Sequence, residues 1–448
     1  MAILSLKKRS GEFMSSNELA MKTVGIIAEY NPFHNGHAYH IKKSKEITGA
    51  DCAVVIMSGN FVQRGAPSIL DKYTRTKMAL LEGADLVLEI PTLYATSSAE
   101  LFALGSVLTL EKLHHIDFLC FGSEEGEIEP FFTASSFLLN ESSSFKMNLS
   151  RFLRQGDSFP KARAKALNLE QLEASFCQNN NNLDSFLSLP NNILGIEYVK
   201  ILKKYHSSIS PVTIQRKNVH YHDKDLHQFF SSASAIREAI AQNQIEEALS
   251  SIPNSCHDLI MKEYKKSFPI CLDDFSSHFS FLLQRENSII QNGNSNLASF
   301  LDVKEELANR ILKLKNPALS ITEFISILKN KAFTYTTIQR GILHYLLNIK
   351  KNLLDEAKSD ELVYYARVLG MNKKGATFLK EAKKTSEIPF IQQPARAYKI
   401  LSEVGKKMFE TDLRAYELYQ LIQYEKFHLQ PQSEYSRGIV RVDSSCEI

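Results

Sequence analysis

Gly25-Ile26-Ile27-Ala28-Glu29-Tyr30-Asn31-Pro32-Phe33-His34-Asn35-Gly36-His37 decides how the rest of the chain is read. An apolar run of strand length enters a Pro-containing turn and opens a helical pattern with two histidines in its first turn. Their i, i+3 spacing puts both rings on one face, beside backbone N–H groups that a helix start leaves unpaired and at the positive end of its dipole. Such a constellation receives phosphate. Gly36, between the histidines, lets a nucleotide approach the backbone where a larger side chain would block it. An adenylyl-transfer transition state gathers negative charge on the α-phosphate oxygens, and imidazole N–H donors placed there stabilise it. The plainer alternative is that His34 and His37 only cap a helix. His40 extends the series and raises zinc, but three helical histidines without nearby carboxylates match catalytic zinc sites poorly, so no metal site is expected.

Outward from this stretch the pattern repeats. Residues 23–28, 53–57, 85–90 and 117–121 read as short apolar strands, and 36–47, 73–82 and 98–113 as amphipathic helices between them. This alternation predicts an α/β fold, a Rossmann-like doubly wound parallel sheet, with chemistry in the loops at the carboxyl ends of its strands. The run 178–182 reads as a loop, after which a helix (193–204), a strand (212–215) and a helix from about 234 continue the alternation. Beyond about 255 strands nearly vanish, and 305–314, 321–330, 337–349 and 413–424 carry helical periodicity. The expected organisation is an extension (1–20), an ATP-binding catalytic domain (21–255) and a mainly α-helical C-terminal domain (256–448).

Composition excludes several classes. With 448 residues, 44% hydrophobic and 23% charged, the chain is neither disordered nor collagen-like and has length for two or three domains. The six cysteines are widely spaced, which fits a reducing, cytoplasmic compartment better than a disulfide framework. The longest apolar runs are strand-sized, and no apolar stretch follows Lys7-Lys8-Arg9, so neither a membrane span nor a signal peptide is expected. Net charge is only +3, yet residues 301–410 hold 20 Lys+Arg against 12 Asp+Glu. That local excess suits RNA phosphates, although solvated helix faces also produce such counts. Lys373, Lys374 and Lys380 are its candidate phosphate contacts.

His34-Asn35-Gly36-His37 resembles the H-x-G-H signature of the nucleotidylyltransferase superfamily. A narrower resemblance rests on GIIAEYNPFHNGH, Ser58-Gly59-Asn60-Phe61-Val62-Gln63-Arg64-Gly65, Asp71-Lys72-Tyr73-Thr74-Arg75, Glu89-Ile90-Pro91, Phe121-Gly122-Ser123-Glu124, the stretch from Pro190 to Tyr198, and Tyr221-His222-Asp223. With Tyr365-Ala366-Arg367-Val368-Leu369-Gly370 and Asn372-Lys373-Lys374-Gly375, these are similar to the bacterial tRNA(Met) cytidine acetate ligase family over roughly residues 21–425. The resemblance implies ATP-dependent activation of acetate to acetyl-adenylate, with Mg²⁺ accompanying ATP. The acetyl group then passes to N4 of the wobble cytidine of elongator tRNA(Met). No DNA or membrane partner is implied.

Carried onto this sequence, the ATP site comprises Gly25, Ile26, Ile27, Ala28, Glu29, Tyr30, Asn31, Pro32, Phe33, His34, Asn35, Gly36, His37, Ala38 and Tyr39, with Gly122, Asn191 and Arg216. His34 and His37 are the catalytic candidates. Gly122 would let adenine or ribose pack on the backbone, or simply start a turn. Arg216, at a strand end, would grip phosphate or lie on the surface. Asn191 is preferred over Asn192 for the nucleotide contact, and one of the two would serve as an N-cap. Residues 231–237 resemble a second superfamily signature, I-S-S-T-x-I-R, with Ser232, Ser234 and Arg237 as its surviving polar positions and Ser234 equally readable as an N-cap. Lys72, Arg75 and Arg64 are further cations near the crevice, open to phosphate, acetate or tRNA. Two competing readings are a nucleotidylyltransferase acting on a small phosphorylated metabolite and an RNA-binding protein with a relic nucleotide site; the basic helical region argues against the first, and intact His34, Gly36, His37 and Arg237 against the second.

Overall fold

The computed structural model describes residues 21–124, 126–157, 159–170, 186–187, 189–216, 232–290, 296–314 and 316–443. The expectations placed on residues 1–20, 178–182, 221–223 and Ser231 lie outside the described residues. Five parallel strands, β1 (Thr23–Ala28), β2 (Cys52–Ser58), β3 (Leu86–Ile90), β4 (Phe118–Ser123) and β5 (Ser210–Gln215), stand in the order β5-β4-β1-β2-β3. Helices α1 (Asn35–Thr48), α2 (Lys72–Leu81), α3 (Thr92–Ala95) and α4 (Ala99–Glu111) connect the first four, and a helix at Pro190–Lys204 leads into the fifth. Every residue of β2 and β3 is buried, as strands covered on both faces must be. The period of two divides them: Ala53, Val55 and Met57 join Val24 and Ile26 in one core layer, whereas Val54 and Ile56 join Leu86, Leu88 and Ile90 in the other.

The order of addition reverses at β1, since β2 lies on one side of it and β4 on the other. In such sheets that reversal opens a crevice outside the carboxyl ends of the two flanking strands. The loops after β1, β4 and β5 therefore converge there.

The C-terminal part is helical as expected, with helices at Ser276–Ile290, Glu305–Lys313, Ile321–Leu328, Tyr335–Leu346 and Lys351–Lys358; residues 413–424 fall inside a 25-residue helix, Glu403–Phe427. It differs from the sequence reading in one respect. Three strands, β6 (Ala366–Met371), β7 (Phe390–Ile391) and β8 (Val440–Arg441), enter the same sheet. β6 runs antiparallel along β3, pairing Leu86 with Met371 and Glu89 with Arg367, while β7 and β8 lie parallel to β6. The strand is hard to see in the sequence because it is six residues long, sits among helical patterns, and carries an arginine that reads as exposed. Arg367 is in fact buried beside Glu434 at 3.3 Å and the Tyr73 hydroxyl at 3.4 Å.

Beside it lies a buried ionic cluster. Lys72, 1% exposed, reaches Glu89 at 2.8 Å and Glu434 at 2.5 Å. Burial pulls the Lys72 pKa down, but Glu434 and Glu89 outweigh it, so the ammonium stays charged. Among the described residues no helix is long and apolar enough to cross a membrane.

Candidate active site

At the carboxyl end of β1 the chain turns through Tyr30, whose φ of 51° is left-handed, and delivers His34 in an extended conformation as the N-cap of α1. His34 Nδ1 accepts from the Gly36 N–H at 3.1 Å, and His37 Nδ1 accepts from the His34 N–H at 3.3 Å. The two histidines thus form a reciprocal capping box in which imidazoles take the places usually held by a hydroxyl and a carboxylate. Helix capping and ligand binding are therefore not alternatives here. With both Nδ1 atoms accepting, the hydrogen-bond pattern puts each proton on Nε2, leaving that N–H to point away from the helix start.

The helix start departs from expectation in one way. Its first-turn backbone N–H groups are already engaged: Asn35 donates to the Ser251 carbonyl at 2.9 Å, Gly36 to His34 Nδ1, and His37 to the His34 carbonyl at 2.8 Å. Donors for an anion must come from the rings, because the side chains consume what the helix start would have offered. The rings are fixed by packing. His34 stacks on His37 with centroids 3.7 Å apart, and Tyr30 and Phe33 approach His37 at 4.7 and 5.6 Å. Burial, then Arg216, holds His34 down to about 4; burial, then His34 and Arg216, holds His37 well below its ordinary value. Burial and Arg216 likewise bring His40 to about 4. All three are neutral at physiological pH.

Across the crevice, Arg216 follows β5 and donates to Asn191 Oδ1 at 2.9 Å, while Asn191 Nδ2 donates to Glu124 Oε1 at 2.8 Å. Asn192 is fully buried and its Oδ1 accepts from the Glu124 N–H at 3.3 Å. Asn191 is thus the one that meets Arg216. Neither caps the helix: Leu189 is the N-cap and Pro190 opens the first turn, where its fixed φ suits the start. A Cβ on Gly122 would lie 3.2 Å from Arg216 Cγ, so this glycine makes room for the arginine stem. Glu124 lies in a quoted motif but is not singled out by it; its link to Asn191 joins residues far apart in sequence, and no local spacing reveals it.

The second signature docks onto the first. Arg237 donates to the Asn31 carbonyl at 2.6 Å and to Ser234 Oγ at 3.0 Å, and Ser232 rather than Ser234 caps the helix Ala233–Ala241 by accepting from the Ala235 N–H. Glu29 sits beneath, accepting from the Gln63 N–H at 2.8 Å; burial raises its pKa against the pull of that N–H, Arg64, Arg237 and Arg75. Of the three further cations, Lys72 is locked in its ionic cluster. Arg75 is fully buried, donating to the carbonyls of Leu70, Glu29, Ser58 and Gly59. Arg64 remains exposed.

Not all of the stretch 25–39 faces the crevice. Gly25 lies inside the sheet, where a Cβ would come 2.8 Å from Leu110, and Ile26 is fully buried. Asn31, Pro32 and Phe33 are buried in the turn, and Ile27, Ala28, Asn35, Gly36, Ala38 and Tyr39 are half-buried. Among the described residues no group of three or more His, Cys, Asp or Glu side chains is placed to hold a metal ion.

The sequence matches the family described as HIGH Nucleotidyl Transferase over residues 21–434. It is 41% identical over 402 residues to a tRNA(Met) cytidine acetate ligase of Thermoanaerobacter sp. (strain X514), covering 90% of this chain and 95% of that protein. A protein of the same name from Clostridium perfringens (strain ATCC 13124) is 41% identical over 403 residues, covering 90% and 96%. A crystal structure of Thermotoga maritima TmcAL bound with alpha-thio ATP superimposes with a TM-score of 0.83 at 28% identity, covering 95% of this chain and all of that one. By this likeness in sequence and fold, the chain belongs to the HIGH nucleotidyl transferase family and, within it, to the tRNA(Met) cytidine acetate ligases.

Proposed function

We propose that this protein is an ATP-dependent ligase that activates acetate as acetyl-adenylate and transfers the acetyl group to N4 of the wobble cytidine of elongator tRNA(Met), giving N4-acetylcytidine. The observation that carries this reading is the pair of neutral imidazoles, His34 and His37, held with Nε2–H outward at the crevice that Arg216 and Asn191 also reach. An acetate oxygen attacks the α-phosphorus, the bond to the bridging oxygen of the leaving group breaks, and pyrophosphate departs. His34 and His37 donate to the α-phosphate oxygens as charge gathers there, and their low pKa values keep Nδ1 free to cap the helix. Arg216, Ser234 and Arg237 hold the phosphates, and Asn191 and Gly122 border the nucleoside. In the second step N4 attacks the acyl carbon, AMP leaves, and N4 loses a proton. Mg²⁺ would travel with the ATP phosphates, which supply their own oxygen ligands.

The names of the relatives and the ATP analogue in the Thermotoga structure support these substrates. Residues 256–448 hold the tRNA in this reading, and the enzyme works in the cytoplasm. Exchange of labelled pyrophosphate into ATP tests it. The ligase requires acetate for exchange and does not require tRNA; exchange driven only by a phosphorylated metabolite, or none at all in a protein that binds RNA, would replace the reading with one of its two competitors.

A further inference from the structure

At the opposite end of the sheet from the crevice, where β6 ends at Met371, the protein forms a cavity lined by Lys373, Lys380, Lys383 and Arg441, with Gln392 and Asp443. Four cations face one carboxylate. Lys373, Lys380 and Arg441 are exposed and, among the described residues, make no hydrogen bond or ion pair through their side chains; Lys383 donates to Gln392 Oε1 at 2.9 Å, a neutral partner. Lys384, outside the cavity, is paired with Glu381. Among the described residues the cavity is thus a concave surface with an excess of positive charge, opposed by Asp443 alone.

Both walls are fixed to the sheet. The stretch 372–375, loop-like in composition, is the start of the helix Lys373–Ala382: Asn372 caps it by accepting from the Gly375 N–H at 3.0 Å and donates to Asp85 Oδ1 at 2.8 Å. Gly375 lies against Asp85 so closely that a Cβ would meet its carbonyl oxygen at 1.9 Å. Lys373 and Lys380, seven residues apart, share a helix face with about 10 Å between them along the axis. Arg441 is held by the pairing of β8 with β6. Lys374 does not line the cavity.

The strands run six or seven residues from this end to the crevice, and β6 stands three strands from β1. At about 3.3 Å per residue and 4.8 Å per strand, the separation is on the order of 25 Å. No mononucleotide or acetate spans that distance; a polymer of phosphates does. The geometry points to this cavity as an anchoring site for the sugar-phosphate backbone of the tRNA, remote from the base being modified. This rests on the tRNA ligase reading. Such a contact positions the RNA without reading its sequence.

The test is the triple variant Lys373→Ala/Lys380→Ala/Arg441→Ala in the full chain, with Lys373→Arg/Lys380→Arg as the charge-preserving control. The triple variant should bind elongator tRNA(Met) about 10- to 100-fold more weakly near 0.1 M salt, and the slope of log K against log salt should flatten by roughly 0.7–0.9 per lost phosphate contact. The KM for tRNA should rise with kcat little changed, acetate-dependent pyrophosphate exchange without tRNA should stay at the wild-type level, and the arginine control should retain affinity. Unchanged tRNA affinity and salt slope would overturn the proposal, as would competition by millimolar inorganic phosphate at the cavity with no change in RNA binding, which would make it a site for a small free anion. Failure of the ligase reading shows separately, as absence of acetate-dependent exchange in the unmodified protein.

Discussion

Two groups of buried polar side chains sit on the same sheet and are built on opposite terms. Around Lys72, its ammonium, the Arg367 guanidinium and the carboxylates of Glu89 and Glu434 answer one another within 2.5 to 3.3 Å. Around His34, each imidazole spends one nitrogen on the backbone and keeps the other. A set of charges that neutralises itself offers a ligand no net charge, even with Arg367 Nη1 and Glu434 Oε2 left without a hydrogen bond, and serves to join parts of the chain. A set that satisfies only half its hydrogen-bonding capacity, and is kept uncharged by burial, is ready for something that arrives later.

Substitution should separate the two in opposite columns. The largest effect expected is from Lys72→Met, which leaves Glu89 and Glu434 facing a single arginine and should remove about 3–5 kcal/mol of stability. Chemical denaturation would show it, while pyrophosphate exchange measured well below the lowered midpoint should persist. Loss of exchange in a folded Lys72→Met protein would erase the distinction. His37→Ala should do the reverse, reducing exchange roughly 10²–10³-fold while stability falls by about 1–2 kcal/mol for the lost cap bond and ring contacts. Normal exchange would remove His37 from the chemistry.

His34→Asn sharpens the comparison further, because asparagine keeps an N-cap acceptor and discards the Nε2 donor. Exchange should fall about 10- to 100-fold with the helix start intact. The pH dependence gives a second readout. His34 and His40 titrate near 4 in the folded chain and near 6.5 unfolded, so between those values the unfolded state binds more protons and stability falls as the pH is lowered. The His34→Asn protein should lose about 2–3 kcal/mol less than the wild type across that window, read from denaturation between about pH 4.5 and 7.5. Deleting residues 1–20 should have the smallest effect, none on exchange or on tRNA acetylation, and a markedly lowered midpoint would make that segment part of one of the two groups.

The first four strands and the histidine turn were legible because their signals are local: a period of two, a turn with proline, and a spacing of three. What sequence could not supply was long-range pairing. Arg75 and Lys72 looked like cations for a ligand, since nothing near them in sequence announces the carbonyls of Leu70, Glu29, Ser58 and Gly59 or the carboxylate of Glu434 that claim them. Which of Asn191 and Asn192 meets Arg216 was likewise a matter of the face each presents at a helix start, fixed by Pro190 and the burial of Asn192. The helix start itself misled in a small way, because the same side chains that marked it as an anion site also occupy its backbone donors.

The antiparallel seam between β3 and β6 bears on how the chain is made. β3 is wholly apolar except for Glu89, and until residues 366–371 leave the ribosome it has no neighbour on that side. More than half the chain separates the two strands, so the nascent protein carries an open, adhesive ladder edge through most of its synthesis. A truncated product ending before β6 would keep every residue of the crevice and still be prone to self-association, through the strand farthest from the chemistry.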